Sequence, residues 1–482
     1  MLRSVRIVNR RHTSMFNFEF DDFEDPANDG RVNDLVAAYE QQGSAAYFDS
    51  DALEDIATYY FERGRFDNAL SAIDRLIEMQ PYSSDAWMRR GILLNNLSRH
   101  EDALDAYCHA LALNPTDAET TVNRGITLDN LGRSEEALSC YDAALELDPL
   151  NEEALFNRGV TLERLDRIDD AVSAFERCTG INPEHPEAWY ELGYCFDRLG
   201  EDEKSISCYN KHIDIDPYSQ DAWYNRGIVL NRMGSYREAI DSYEMSIAIQ
   251  DDFASAHYNR GNALANVGDL SGAIESYMHV LSLEGGDAAT FYNIALAYEE
   301  LQRYDLAISF FERTTAEDDS YAEAWYGLGC CYDALERFEE ALTFFERAVT
   351  LNPEVDEFWY AKADCEYNAG RLVQALESYR TVVEVAPENR EAWLDYAETL
   401  FEAQMLEDAL AAYRQALTLQ PDSAGAYFQQ AKALFALGRS DESIRSLKTA
   451  FRLDPRTKEE FQHTYPDLYR DAQVRRLLGL DS

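Results

Sequence analysis

Proline recurs in this chain on a 34-residue comb. Pro81, Pro115, Pro149, Pro183, Pro217, Pro353, Pro387, Pro421 and Pro455 are separated by multiples of 34, and only Asp251, Gly285 and Asp319 interrupt the series. A fixed period of this length demands one small unit stacked on copies of itself, because a single unit cannot bury its apolar face alone. Setting each proline at position 32 divides residues 50–457 into twelve units without insertion. Other positions then fall into register. All six tryptophans (Trp87, Trp189, Trp223, Trp325, Trp359, Trp393) take position 4, and position 8 is Gly or Ala throughout. Position 20 is Ala except at Ser205 and Ser443, and position 24 is aromatic from Tyr107 to Tyr413.

Positions 4, 8 and 11 share one face of a helix with 3.6 residues per turn, and positions 20, 24 and 27 share a face of a second. Small residues at 8 and 20 let the two helices approach, while bulky residues at 4 and 24 fill the space beside them. Proline at 32 ends the second helix and fixes the turn into the next unit. At the seventh unit Gly285-Gly286 stands in its place, which reads either as neutral drift or as a softer joint.

Large at 4, small at 8, Ala at 20, aromatic at 24 and Pro at 32: this pattern resembles the tetratricopeptide repeat. The resemblance covers residues 50–457 and implies an all-α solenoid of about twelve repeats. In it each unit is a hairpin of helices A and B, and the hairpins stack into a right-handed superhelix whose concave groove is lined mainly by A helices.

The flanks differ from the array. Residues 1–49 form an N-terminal segment that begins with four arginines and no acid over residues 1–14. An acidic aromatic run follows from Met15, which is itself an alternative start. Val32, Leu35, Val36 and Tyr39 are spaced for a capping helix. Residues 458–482 are expected to supply C-terminal capping helices, with Thr457 and Glu460 forming a capping box.

The array is strongly acidic, with 90 Asp and Glu against 43 Lys and Arg for a net charge of −47. Such a surface repels phosphate backbones and anionic lipid, so nucleic acid and membrane insertion are not expected. No apolar run approaches the roughly 18 residues that span a bilayer. The eight cysteines lie in no CxxC pair and no zinc spacing. We read them as reduced residues of a cytoplasmic protein.

No catalytic constellation is legible. The eight histidines are dispersed along the chain, with no more than two in any unit, and no HExxH, GxSxG or Walker loop occurs. Gly327 and Gly329 lie mid-helix, where the second takes the small position 8. We therefore expect no enzyme activity, no cofactor and no metal.

The groove is more informative. With position 4 pointing to the core, positions 2, 5, 6, 9, 12 and 13 point away from it. Position 5 carries Phe156, Tyr190, Tyr224, Tyr258, Tyr292, Tyr326 and Tyr360, and position 6 carries Asn123, Asn157, Asn225, Asn259 and Asn293, with Glu191 breaking the series. Position 2 is mostly acidic, and position 12 adds Asp129, Glu163, Asp197, Glu299 and Asp333. An asparagine amide both donates and accepts, so one per repeat could hold the backbone of an extended peptide. Equally, the same amides could be satisfied within the stack. The arrangement is similar to the asparagine ladder of the O-linked N-acetylglucosamine transferases, whose catalytic domain has no counterpart here. The carboxylate clamp by which some family members hold chaperone C-termini needs cations in the groove; tyrosine and acid replace them. Position-7 arginines (Arg90, Arg124, Arg158, Arg226, Arg260) are expected at the edge of the packed face, braced by a neighbouring carboxylate.

The reading is a non-enzymatic scaffold that binds a protein segment with basic and apolar side chains in the groove. The alternative is an assembly subunit that uses its convex face or its end units.

Overall fold

The computed structural model describes residues 26–42 and 47–479. The basic arm and the acidic run lie outside them. The described residues form twenty-eight α-helices and no strand, and within the array each helix A of 13 residues, or 14 at Pro186–Leu199, is followed by a 14- or 15-residue helix B. The fourth repeat is representative, with helix A over Glu152–Arg164 and helix B over Ile168–Ile181. Contacts divide the chain into two compact units, with the division along the sequence falling between Ala263 and Leu264. Each is a stack of consecutive hairpins.

Helix A is started by position 34 of the preceding repeat. Asp117, Asn151 and Asn389 each accept a hydrogen bond from the backbone N–H three residues on, at 3.2, 2.8 and 3.1 Å. That bond satisfies one of the donors left free by the first turn. Helix B stops at a turn built by position 31. Asp148, Asn182 and Asp216 fold a side-chain oxygen back onto the N–H two residues later, at 3.0–3.1 Å. Asp318 forms the same turn without a following proline.

Position 15, between helices A and B, adopts a positive φ in all twelve repeats, from 56° at Glu336 to 85° at Gly268. Seven repeats place glycine there, and Ser98, Asp166, Gln302, Glu336 and Gln404 occupy the others. A side chain in this region costs about 1–2 kcal/mol, partly offset by the larger chain entropy that glycine loses on folding. Glu336→Gly is therefore expected to stabilise the protein by about 0.5–1 kcal/mol. Chemical denaturation that shows no gain would contradict this.

The core runs through the small positions. Ala154, Gly159, Ala171 and Phe175 of repeat four are buried, and a Cβ added at Gly159 would lie 2.6 Å from the Phe175 ring. Gly329 meets Phe345 in the same way at 2.5 Å, and Gly327 faces Phe311 of the preceding repeat at 2.4 Å. Both glycines are thus packing residues. Gly285 takes a φ of 80°, and a Cβ on Gly286 would overlap Phe291 at 1.8 Å. Both positions of this turn therefore suit glycine and resist a side chain.

Tryptophan at position 4 does not fill the core as the periodicity suggests. The six rings are half-buried, and each indole Nε1 donates to the position-32 carbonyl of the preceding repeat, at 2.8–3.1 Å. The most consistently buried A-helix positions are 3, 8 and 10, because helix A packs on its own B, on the preceding B and on neighbouring A helices. The packed arc is wider than a single hairpin would need.

At the N-terminal end, helix Pro26–Gln42 lays Val36 on the first repeat, with Arg31 paired to Asp55 at 2.5 Å and Arg65 to Glu40 at 3.0 Å. Three short helices, Thr457–Thr464, Pro466–Arg470 and Ala472–Leu478, follow the last repeat. The expected capping box is not formed. Thr457 is the first helical residue, and its hydroxyl donates to the Asp454 carbonyl at 2.6 Å.

Candidate functional site

The position-6 asparagines do not share one environment. Asn123, Asn259 and Asn293 are buried, 1–4% exposed, whereas Asn157 and Asn225 are half-buried. Asn157 Nδ2 donates to the Glu153 carbonyl of its own helix at 2.9 Å. Asn225 Nδ2 donates to the Tyr190 hydroxyl at 2.8 Å, and Asn259 Nδ2 to the Tyr224 hydroxyl at 2.9 Å. Both pairs join position 5 of one repeat to position 6 of the next. Glu191 is buried as well.

The position-5 rings divide likewise. Tyr224 and Tyr258 are buried, while Phe156, Tyr190, Tyr292, Tyr326 and Tyr360 are half-buried. Each half-buried ring lies 5.8–6.0 Å from the position-24 ring of its own hairpin. One face is thus covered by the core, and the hydroxyls of Tyr190, Tyr326 and Tyr360 reach the next repeat.

In the second unit the ladder changes charge. Tyr360 donates to Asp395, which stands where the first unit has asparagine. Tyr379 donates to Asp364, Tyr326 to Glu357 at 3.3 Å and Tyr367 to Glu402 at 2.9 Å. Across repeats eight to eleven, positions 2, 5, 6, 9, 12 and 13 hold ten carboxylates and no lysine or arginine. Burial raises the Asp364 and Asp395 carboxyls above their usual range despite the tyrosine hydrogen bonds, and nearby Asp395 and Glu391 respectively add to it. These are charges held partly out of water without a cation beside them.

Glu299, at position 12 of repeat eight, is pushed up to about 7 by burial. Its folded pKa exceeds the ordinary unfolded value, so ionisation is harder in the folded state. The resulting penalty is absent below about pH 4.5, grows as pH rises and is complete above about pH 7. Glu299→Gln should therefore raise stability by about 1–2 kcal/mol at pH 8, allowing for partial hydration, and leave it unchanged at pH 4.5. Melting temperatures at the two pH values check this; an equal gain at both would contradict it.

Position-7 cations face the other way. Arg90 pairs with Asp74, Arg158 with Asp142 and Lys362 with Glu346, at 2.5–2.8 Å, and Arg226 meets Asn210 at 2.7 Å. Each partner is position 25 of the preceding repeat. Arg90, Arg158, Arg226 and Lys362 thus brace successive repeats, whereas position 25 of the repeat before Arg124 is Cys108, which offers no carboxylate.

Among the described residues no group of His, Cys, Asp and Glu is arranged to hold a metal ion, and no helix is long and apolar enough to cross a membrane. All eight cysteines are free thiols.

Hairpins of 13- and 14-residue helices stacked on a 34-residue period define a helical repeat solenoid. The chain belongs to the tetratricopeptide repeat family. Tetratricopeptide repeat models match residues 54–118, 122–183, 165–220 and 360–424, and others match 254–287, 290–320, 322–355 and 400–463, with a TPR repeat model over 229–268. The family is one of protein-interaction scaffolds. Similar solved structures include MamA, at 26% identity over 35% of this chain and 91% of that one, with a TM-score of 0.34. MamA from Desulfovibrio magneticus RS-1 is 25% identical over 35% and 96%, with a TM-score of 0.34. YrrB, described as a TPR protein with an unusual peptide-binding site, is 18% identical over 38% and 95%, with a TM-score of 0.35. No curated protein matches the chain.

Proposed function

We propose that the protein is a non-enzymatic, cytoplasmic scaffold that binds a basic and apolar protein segment along the A-helix groove of repeats eight to eleven. The observation that supports this reading is the composition of that surface: ten carboxylates, of which Glu391 is paired to the adjoining Arg390, no lysine or arginine at the six outward positions, and half-buried tyrosines whose rings are already fixed. A lysine or arginine side chain would find a carboxylate and an aromatic face together, which suits both ion pairing and cation–π contact. In the first unit Asn157, Asn225, Phe156 and Tyr190 remain within reach of a ligand. The buried amides of Asn123, Asn259 and Asn293 serve the stack.

Binding should be of micromolar strength, because association itself costs roughly 4–15 kcal/mol before any surplus appears. The test is fluorescence anisotropy of the full chain with a labelled peptide of alternating lysine and leucine, beside a glutamate–leucine control. The lysine peptide should bind and weaken steeply between 50 and 500 mM salt. Equal binding of both peptides, or binding indifferent to salt, would overturn the proposal.

A further inference from the structure

The last repeat ends on a cavity. Its volume is about 370 Å³, and Phe428, Ile444, Leu447, Phe461, Leu468 and Val474 form most of its apolar wall. The cause is structural. Where another repeat would lay a 13-residue helix A over helix B, this chain lays helices of eight, five and seven residues, which roof the space without filling it. Phe435 and Leu477 stand at its margin, 42% and 46% exposed.

The polar groups around the cavity are mostly committed. Ser443 donates to the Ala431 carbonyl at 2.8 Å, and Asp471 accepts from the Val474 N–H at 2.9 Å as it starts the last helix. Lys432 is the sole cation of the lining; it forms no salt bridge among the described residues, and its ammonium lies over the Phe401 ring of the preceding repeat, 5.6 Å from the centroid. Its surroundings are unusual for this protein. Residues 439–476 carry nine Lys and Arg against seven Asp and Glu, in a chain whose net charge is −47. An apolar chamber of this size, with one ammonium at its wall that is held by an aromatic ring and not by a salt bridge, has the make-up of a small-molecule site.

We infer that this cavity binds an anionic amphipath with a single alkyl chain, the chain among the phenylalanine and leucine side chains and the carboxylate or phosphate against Lys432. The site is separate from the peptide groove and stands or falls independently of it. Decanoate is the probe, titrated into the full chain by calorimetry and read for stoichiometry by native mass spectrometry. One molecule should bind per chain, and affinity should rise roughly four-fold for each methylene added from hexanoate to decanoate. Lys432→Gln should weaken decanoate at least five-fold while leaving decanol unchanged. Ile444→Trp, and Ser440→Trp from the exposed rim if the first does not fold, should abolish binding of both.

Sedimentation with phosphatidylglycerol vesicles that is lost in Ser440→Trp would assign the ligand to a bilayer lipid. No sedimentation beside decanoate binding would assign it to a free amphipath. Either result upholds the site. Decanoate that fails to bind, or that binds in several copies indifferent to the tryptophan variants, would overturn it.

Discussion

Gly159→Val is expected to destabilise the fourth repeat by about 3 kcal/mol, and the loss should spread to its neighbours. A Cβ there already lies 2.6–2.8 Å from three atoms of the Phe175 ring, and that ring is fully buried with no space to turn into. Glycine in a helix is worth up to about 1 kcal/mol less than alanine, so a substitution gains something in propensity. Overpacking a closed core costs about 1–3 kcal/mol, and a β-branched side chain adds two more carbons beyond the first. The clash therefore wins. Repeats one and twelve pair Ala57 with Ile73 and Ala431 with Leu447, but repeats eight, ten and eleven keep Phe311, Tyr379 and Tyr413 with Ala295, Ala363 and Ala397, so the array accommodates a lone Cβ and the expected cost comes from the two further carbons of valine. Phe175→Leu should then recover part of the loss in the double variant. Denaturant unfolding of the four proteins gives the coupling, and additive single effects would refute the contact. Because each repeat rests on its neighbours, amide exchange should quicken in repeats three and five as well.

The second large effect lies in the groove, where stability and binding should move in opposite directions. Replacing Asp364 and Asp395 by asparagine keeps an acceptor for Tyr379 and Tyr360 and removes two charges that burial already disfavours. Both carboxyls are raised in the folded state. Their ionisation costs stability as pH climbs above the ordinary carboxylate range, and the cost persists at neutral pH. The double variant should melt higher than the parent at pH 7 and no higher at pH 3. The lysine–leucine peptide should bind it at least ten-fold more weakly, since each charge-assisted contact contributes on the order of 1.5–3 kcal/mol. A gain in stability with no loss of affinity would leave the carboxylates without a ligand and sink the groove proposal. Surfaces that serve a partner are often held at such a cost to the free protein.

Much of the fold was legible because the period is rigid. Proline, glycine, alanine and aromatic positions each obey one steric demand that repeats every 34 residues, so twelve copies reinforce a signal that one copy would leave ambiguous. The site was legible in part. A helical wheel places Asn259 and Tyr224 on the outward side, and so it would be for an isolated hairpin. The burial of Tyr224 comes with the next repeat, whose Asn259 reaches back to its hydroxyl, and no single-helix pattern contains that helix. The signal was present at another spacing. Position 5 and position 6 of consecutive units differ by 35 residues, and tyrosine paired with asparagine or aspartate at that interval marks Tyr190–Asn225, Tyr224–Asn259 and Tyr360–Asp395. Position 15 was missed for a different reason. Its demand is on the backbone alone, and five non-glycine residues meet it, so composition hides what φ displays.

The six indole–carbonyl bonds give the chain an optical map of its own opening. Every tryptophan is anchored to the joint that precedes its repeat, so the joints before repeats two, five, six, nine, ten and eleven each carry a fluorophore, and the others are dark. Parting of a joint frees its indole N–H to water and shifts that ring's emission to the red. Variants that retain one tryptophan at a time, with phenylalanine elsewhere, would report which joints part first under force, heat or denaturant. The order of those red shifts along the chain would show whether the solenoid peels from an end or breaks in its middle.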